Sequence, residues 1–199
     1  MYDIDDLKNL VDMAAGGRSP ADLLITNAKL VDVLTGEIRE TDVSVGGGKI
    51  LGFSHTEAVK VVDAQGAYLL PGLIDAHIHI ESSMVSPARF AELVLPHGTT
   101  SVVADPHEIA NVHGLEGIRY MLENGRHLPL NIFIALPSCV PATPFEDSGA
   151  VLSAEELEEL IDDPKVTGIG EMMNFPGVVS GDYDVLAKIQ LGTSHGKIV

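Results

Sequence analysis

Four times between Leu73 and Val199 a short apolar run gives way to a stretch of helical spacing. That alternation constrains the fold more than any other feature of the chain. The apolar runs are LIDAHIHI, TTSVVADPHE, LNIFIALPSCVP and VTGIGEMMN. The helical stretches are SPARFAELVLPHG, GLEGIRYMLENGRHLP, SAEELEELIDDP and DYDVLAKIQLGTSHG, and KIV opens a fifth run. Short apolar strands joined by helices of roughly 10–15 residues build parallel βαβ units. Helix boundaries are marked locally: Pro87 falls in a first turn behind Ser86 as candidate N-cap, and Ser153 with Glu156 forms a capping box ahead of the stripe Leu157, Leu160 and Ile161.

Each apolar run ends in polar chemistry: His77 and His79, then Asp105 and His107, then Ser138 and Cys139, then Glu171. Functional groups collected at the carboxyl ends of successive strands are the mark of a (β/α) barrel face. The pattern predicts an α/β fold in which residues 71–199 form the first half of a (β/α)8 barrel of TIM type. A complete barrel takes about 250 residues, roughly twice this stretch. The sequence therefore reads as the N-terminal portion of a longer enzyme, inactive by itself.

Ahead of that region, Ile4, Leu7, Leu10, Val11 and Ala14 recur at helical spacing, so residues 1–20 are expected to hold a packing helix stopped by Gly16 and Gly17. Residues 21–70 change texture. DLLITNAKLVDV, DVSVGGGKILGFS and KVVDAQGAYLL are β-rich runs divided by Thr35-Gly36 and Gly46-Gly47-Gly48, which predicts a small β-sandwich subdomain of antiparallel hairpins. Asp32, Asp42 and Asp63 are read as its turn or edge residues.

The stretch PGLIDAHIHIE carries the strongest chemistry. Side chains alternate faces on a strand, so His77 and His79 share one face and Ile78 and Ile80 the other. Two imidazoles so placed can hold one cation between them. Histidine pairs of this spacing also occur on ordinary half-buried strands. What separates the two cases is the Pro-Gly turn before the pair and the polar loop after it, which put the pair at a strand's carboxyl end.

Composition excludes several other classes. A net charge of −17 repels a phosphate backbone, which argues against nucleic acid as a partner. No apolar run reaches the roughly eighteen residues of a membrane span, so no membrane partner is expected. The acidic start lacks the basic and apolar regions of a signal peptide. The single cysteine, Cys139, offers no internal disulfide and suits a reducing cytoplasm.

A small β subdomain, then PGLIDAHIHIE, then an acid on the fourth strand resembles the amidohydrolase superfamily of metal-dependent hydrolases. HIHIESSMVSP, HGTTSVVADPHEIANVHG, LPSCVPATPFE and GIGEMMNFPGV, in that order, are similar to the bacterial and archaeal adenine deaminases within it. The resemblance covers roughly Ala21 to Val199. It implies that His77 and His79 are metal ligands. It also implies that Glu171 bridges two cations as a catalytic carboxylate, where many relatives use a carboxylated lysine. Asp105 and His107, with His113, are implied either to hold a further metal or to shape the pocket. The ligands that the family draws from strands five, six and eight do not fall within residues 1–199. His195 precedes the fifth run and is expected at the wrong end of that strand.

The cofactor so implied is a binuclear divalent centre of Mn or Fe, with Zn also compatible. The reaction is hydrolytic deamination of adenine to hypoxanthine and ammonia, in cytoplasmic purine salvage. The expected partners are the purine base and further copies of the chain. Glu81 has two readings: a catalytic acid touching the purine or activated water, or a hydrated loop acid. Glu108 is read as a helix N-terminal acid. Ser138 and Cys139 are read as cavity lining, since no histidine adjoins Cys139 to make it a nucleophile. Met172 and Met173 are read as core or pocket wall, and His55, His97 and His127 as surface or packing residues. Three alternatives stay open. A cyclic-amide hydrolase expects lysine where Glu171 stands, and an amino-sugar deacetylase expects a glycine-rich loop where ESSM follows the histidines. The third is an inactive metal-binding half barrel.

Overall fold

The computed structural model describes residues 3–15, 18–54, 56–143 and 145–199, so the expected helix stop at Gly16 and Gly17 and the side chain of His55 lie outside it. Its contacts divide the chain into two units, Met1–Pro71 and Gly72–Val199.

In the first unit, helix α1 (Ile4–Ala14) is capped by Asp3, whose side chain accepts from the Asp6 N–H at 2.8 Å, and carries Asp5 and Asp6 in its first turn, where acids suit the helix dipole. The central strand is β1 (Ala21–Val31). On one side it pairs antiparallel with β2 (Ile38–Gly46), which turns into β3 (Lys49–Gly52). On the other side β4 (Ala58–Asp63) and β5 (Tyr68–Leu69) lie parallel to its first and second halves. Among the described residues this is one five-stranded mixed sheet, with hairpins on one side only, where the sequence suggested stacked antiparallel layers. The reason lies in β1 itself. It is long, its register shifts between Ile25 and Ala28, and Asn27 takes a positive φ of 54° there, so two short strands can share one edge. Asp42 accepts from the Asn27 N–H and Asp63 from its side-chain amide, while Asp32 accepts from the N–H groups of Leu34 and Thr35. These three acids are turn and edge residues.

The second unit is built on four parallel strands in chain order: β6 (Leu73–Ile78), β7 (Thr99–Ala104), β8 (Asn131–Leu136) and β9 (Val166–Ile169). Ile198 bridges Gly168 in parallel at the far edge, where the fifth run begins. The connecting helices are α2 (Pro87–Val94), α3 (His107–Gly125), α4 (Ala154–Ile161), α5 (Phe175–Ser180) and α6 (Tyr183–Ser194). Val102, Ile132, Ile134 and Val166 from the strands pack with Ile118, Met121 and Leu122 of α3 and Leu157, Leu160 and Ile161 of α4. Each such aliphatic side chain, fully buried, contributes about 1.5–3 kcal/mol.

Three local features differ from the sequence reading. Ser86 occupies the N-cap of α2 but its side chain makes no capping bond. FPGVVS forms α5, a short helix capped by the Asn174 side chain and closed by left-handed Gly181. Helix α3 begins at His107, seven residues before the expected Gly114, because Gly114 (φ 59°, ψ −143°) joins two helical segments across a kink and does not start one. His107 and Glu108 therefore stand in a helical first turn.

The capping box of α4 is complete: Ser153 Oγ accepts from the Glu156 N–H, and the Glu156 carboxylate accepts from the Ser153 N–H at 2.8 Å. Ser153→Ala is expected to lower stability by about 1 kcal/mol, read as a fall in the urea midpoint at unchanged slope. An unmoved midpoint would show that the box holds nothing. Among the described residues no helix is long and apolar enough to cross a membrane.

Candidate metal centre

Strand β6 delivers His77, and His79 follows immediately before a 3-10 turn over Ile80–Ser83. Their Nε2 atoms approach to 3.2 Å with the rings edge-on at 76°. Beyond β9, Glu171 brings Oε1 to 3.3 Å from His79 Nε2 and 3.8 Å from His77 Nε2. Asp105, just past β7 and fully buried, accepts the Glu171 N–H on Oδ2 at 3.0 Å and holds Oδ1 2.6 Å from His107 Nδ1. Two sets of ligand atoms, His77–His79–Glu171 and Asp105–His107–Glu171, each fit within 4.8 Å and share Glu171.

The donor set fits a divalent cation on two counts. Nitrogens bound at 2.0–2.1 Å to one tetrahedral ion stand about 3.3 Å apart, close to the observed approach of the two histidines. Asp105 Oδ1 and both ring nitrogens of His107 are buried without a hydrogen-bond partner among the described residues; the 2.6 Å approach of Asp105 to His107 lacks hydrogen-bond alignment. An unsatisfied buried polar group costs about 1–3 kcal/mol, and a cation would satisfy several at once.

Burial works to lower the pKa of His79, but the nearby carboxylates of Glu108, Asp105 and Glu171 outweigh it and hold it above the ordinary imidazole value. Burial raises Glu81. Burial pushes Glu108 up as well, but hydrogen bonds from Ser82 and its own backbone, with His79, bring it below the usual range.

A cavity of about 220 Å³ opens beside the cluster, lined by His79, His107, Glu108, Asn111, Cys139 and Glu171, with Met173 on its wall. Glu81 stands outside both triads. Its Oε1 accepts from the Ile109 N–H at 3.3 Å and its Oε2 is buried, so it ties the turn after β6 to α3 and is not a hydrated loop acid. His113 is exposed on α3 and outside both triads, and His97 and His127 are exposed too. His195 caps the end of α6. Ser138 Oγ donates to the Glu171 carbonyl, and Cys139 Sγ accepts from the Asn174 N–H and contacts Met172 Sδ, so both steady the loop that presents Glu171. Sequence reasoning missed Ser82 and Asn111 as neighbours of the cluster. It placed Glu108 at a helix start without its contact to His79. Only the DPHE segment's position after a strand hinted at these.

The solved structure of atrazine chlorohydrolase TrzN from Arthrobacter aurescens TC1, complexed with zinc, superposes with a TM-score of 0.53 at 18% identity, covering 71% of this chain and 43% of that one; at that identity the likeness speaks for the fold alone. Adenine deaminase of Nitratidesulfovibrio vulgaris is 63% identical over 193 residues, 97% of this chain and 33% of the relative. Adenine deaminase of Desulfatibacillum aliphaticivorans is 51% identical over 186 residues, 94% of this chain and 33% of the relative. The chain thus spans about a third of the length of the curated relatives it matches. The amidohydrolase family model matches residues 68–199, the same stretch that builds the parallel strands and gathers the histidines and carboxylates at their ends, and the chain belongs to that family.

Proposed function

We propose that the chain supplies the metal centre of a hydrolase that deaminates adenine to hypoxanthine and ammonia. The observation that carries this reading is one carboxylate, Glu171, shared by two ligand triads at strand ends, in a chain close in sequence to adenine deaminases. His77, His79 and Glu171 would hold one cation, and Asp105, His107 and the same Glu171 carboxylate a second. An all-nitrogen and oxygen set suits Mn, Fe or Zn. A divalent cation there supplies the Lewis acidity that makes water a nucleophile near neutral pH. The chain's own residues do the rest: Asp105 fixes the backbone of Glu171, Ser138 and Cys139 brace its loop, and Met173 offers an apolar wall against which a flat base can lie. Water adds its oxygen at the ring carbon that bears the amino group, and ammonia leaves. We place this activity in purine salvage, and the single cysteine suits a reducing compartment such as the cytoplasm.

The test is ammonia release from adenine by the full natural chain, stripped by chelator and reloaded with Mn, Fe or Zn. At least one reloaded form is expected to release ammonia in step with adenine consumed, and the stripped form none. Reloaded protein that opens cyclic amides and leaves adenine untouched would overturn the assignment.

A further inference from the structure

We infer that Glu108 is a positioning residue for His79, and that Ser82 fixes Glu108 in turn; the inference rests on the metal-centre reading above. Both oxygens of Glu108 are engaged. Oε2 lies 3.2 Å from His79 Nδ1, and Oε1 accepts the Ser82 hydroxyl at 2.7 Å. An ionised carboxylate only accepts, so the proton of this contact sits on His79 Nδ1. Nε2 then faces His77 Nε2 at 3.2 Å and Glu171 Oε1 at 3.3 Å, the ligand atoms of the first triad. This is the arrangement a metal-binding imidazole needs: one ring nitrogen donating to a carboxylate, the other free to ligate.

The fold builds the relay from two elements far apart in sequence. Ser82 sits in the 3-10 turn that directly follows the histidine strand. Glu108 sits in the first turn of α3, where unpaired N–H groups favour a negative side chain. Glu81 locks the two together by accepting the Ile109 N–H at 3.3 Å. A purely structural helix-end acid would need none of the convergence on His79.

The experiment compares wild type, Glu108→Ala, Glu108→Gln and Ser82→Ala in the full natural chain. In metal-free, ¹⁵N-histidine-labelled protein, the ring shifts of His79 report its tautomer; zinc titration reports affinity. Wild type is expected to carry a proton on Nδ1. Glu108→Ala is expected to move the ring toward Nε2–H and to weaken zinc binding by about 10–100-fold. Glu108→Gln keeps an acceptor and is expected to hold the tautomer and lose less than about tenfold, and Ser82→Ala to fall between. The inference is overturned if Glu108→Ala leaves tautomer and affinity unchanged, or if glutamine does as badly as alanine on both. Wild type that takes up no zinc overturns the metal reading, while the tautomer comparison still decides whether Glu108 sets the ring.

Discussion

Glu171→Ala is expected to empty both triads while leaving the fold nearly intact. Removing a group that only supports a ligand costs roughly 10–100-fold in metal affinity or activity. Glu171 belongs to both ligand sets at once, so its loss is expected to cost at least about a hundredfold in ammonia release and to leave dialysed protein depleted of metal. Folding is expected to change by less than about 0.5 kcal/mol. The Glu171 side chain is 42% exposed and meets mainly the two imidazoles, and the contacts that place its backbone survive in alanine: its N–H to Asp105 and its carbonyl from Ser138. Glu171→Gln keeps an oxygen donor without the charge and is expected to fall between. The readouts are metal content by mass spectrometry, ammonia release and the urea midpoint. Retained metal and activity in Glu171→Ala would remove the shared carboxylate from the mechanism; a collapsed midpoint would make it a structural residue.

The histidine pair was legible because its two members stand two apart where the apolar run meets the polar loop; β6 itself ends at Ile78, and His79 keeps extended backbone (φ −102°, ψ 100°) one residue beyond it. The alternation of elements was legible because apolar periodicity reports which face is buried without any knowledge of partners. The strand-end pattern put Glu171 on the barrel face, but its role as a shared ligand came through family resemblance, since nothing in GIGEMMN by itself points at a histidine ninety-odd residues earlier. What stayed hidden is what only pairing in space decides. The two returning strands β4 and β5 lie parallel to β1, and their sequences carry no sign of direction. Glu108 was legible as a helix N-terminal acid, but its contact with His79 was not, because nothing local says which strand end that first turn faces. The short α5 did carry signals, Asn174 before it and Gly181 after it, but its six residues are too few to show a period.

Gly170→Ala is expected to damage the centre from behind, without replacing any ligand. A Cβ at Gly170 would lie 2.1 Å from Asp105 Oδ2 and 2.6 Å from its Cγ, inside any tolerable contact. Neither side can yield freely. Asp105 is fully buried and holds the Glu171 N–H, and the Gly170 N–H donates to the Leu136 carbonyl at 2.7 Å. Either the carboxylate swings off Glu171 or the end of β9 withdraws, and both routes separate Asp105 from Glu171. Overpacking costs about 1–3 kcal/mol and an orphaned buried donor a similar amount, so a loss of roughly 2–5 kcal/mol is expected, against a total of about 5–15 for a folded domain. Thermal unfolding should fall sharply, and metal uptake should fall with it. The steric cause is separable from a general weakening by the double variant Gly170→Ala/Asp105→Ala. Removing the carboxylate makes room for the new methyl, so the double variant is expected to be more stable than Gly170→Ala alone and still unable to fill the second triad. Stabilities that merely add, with the double variant the weaker of the two, would show that the glycine is needed for some reason other than the approach of Asp105.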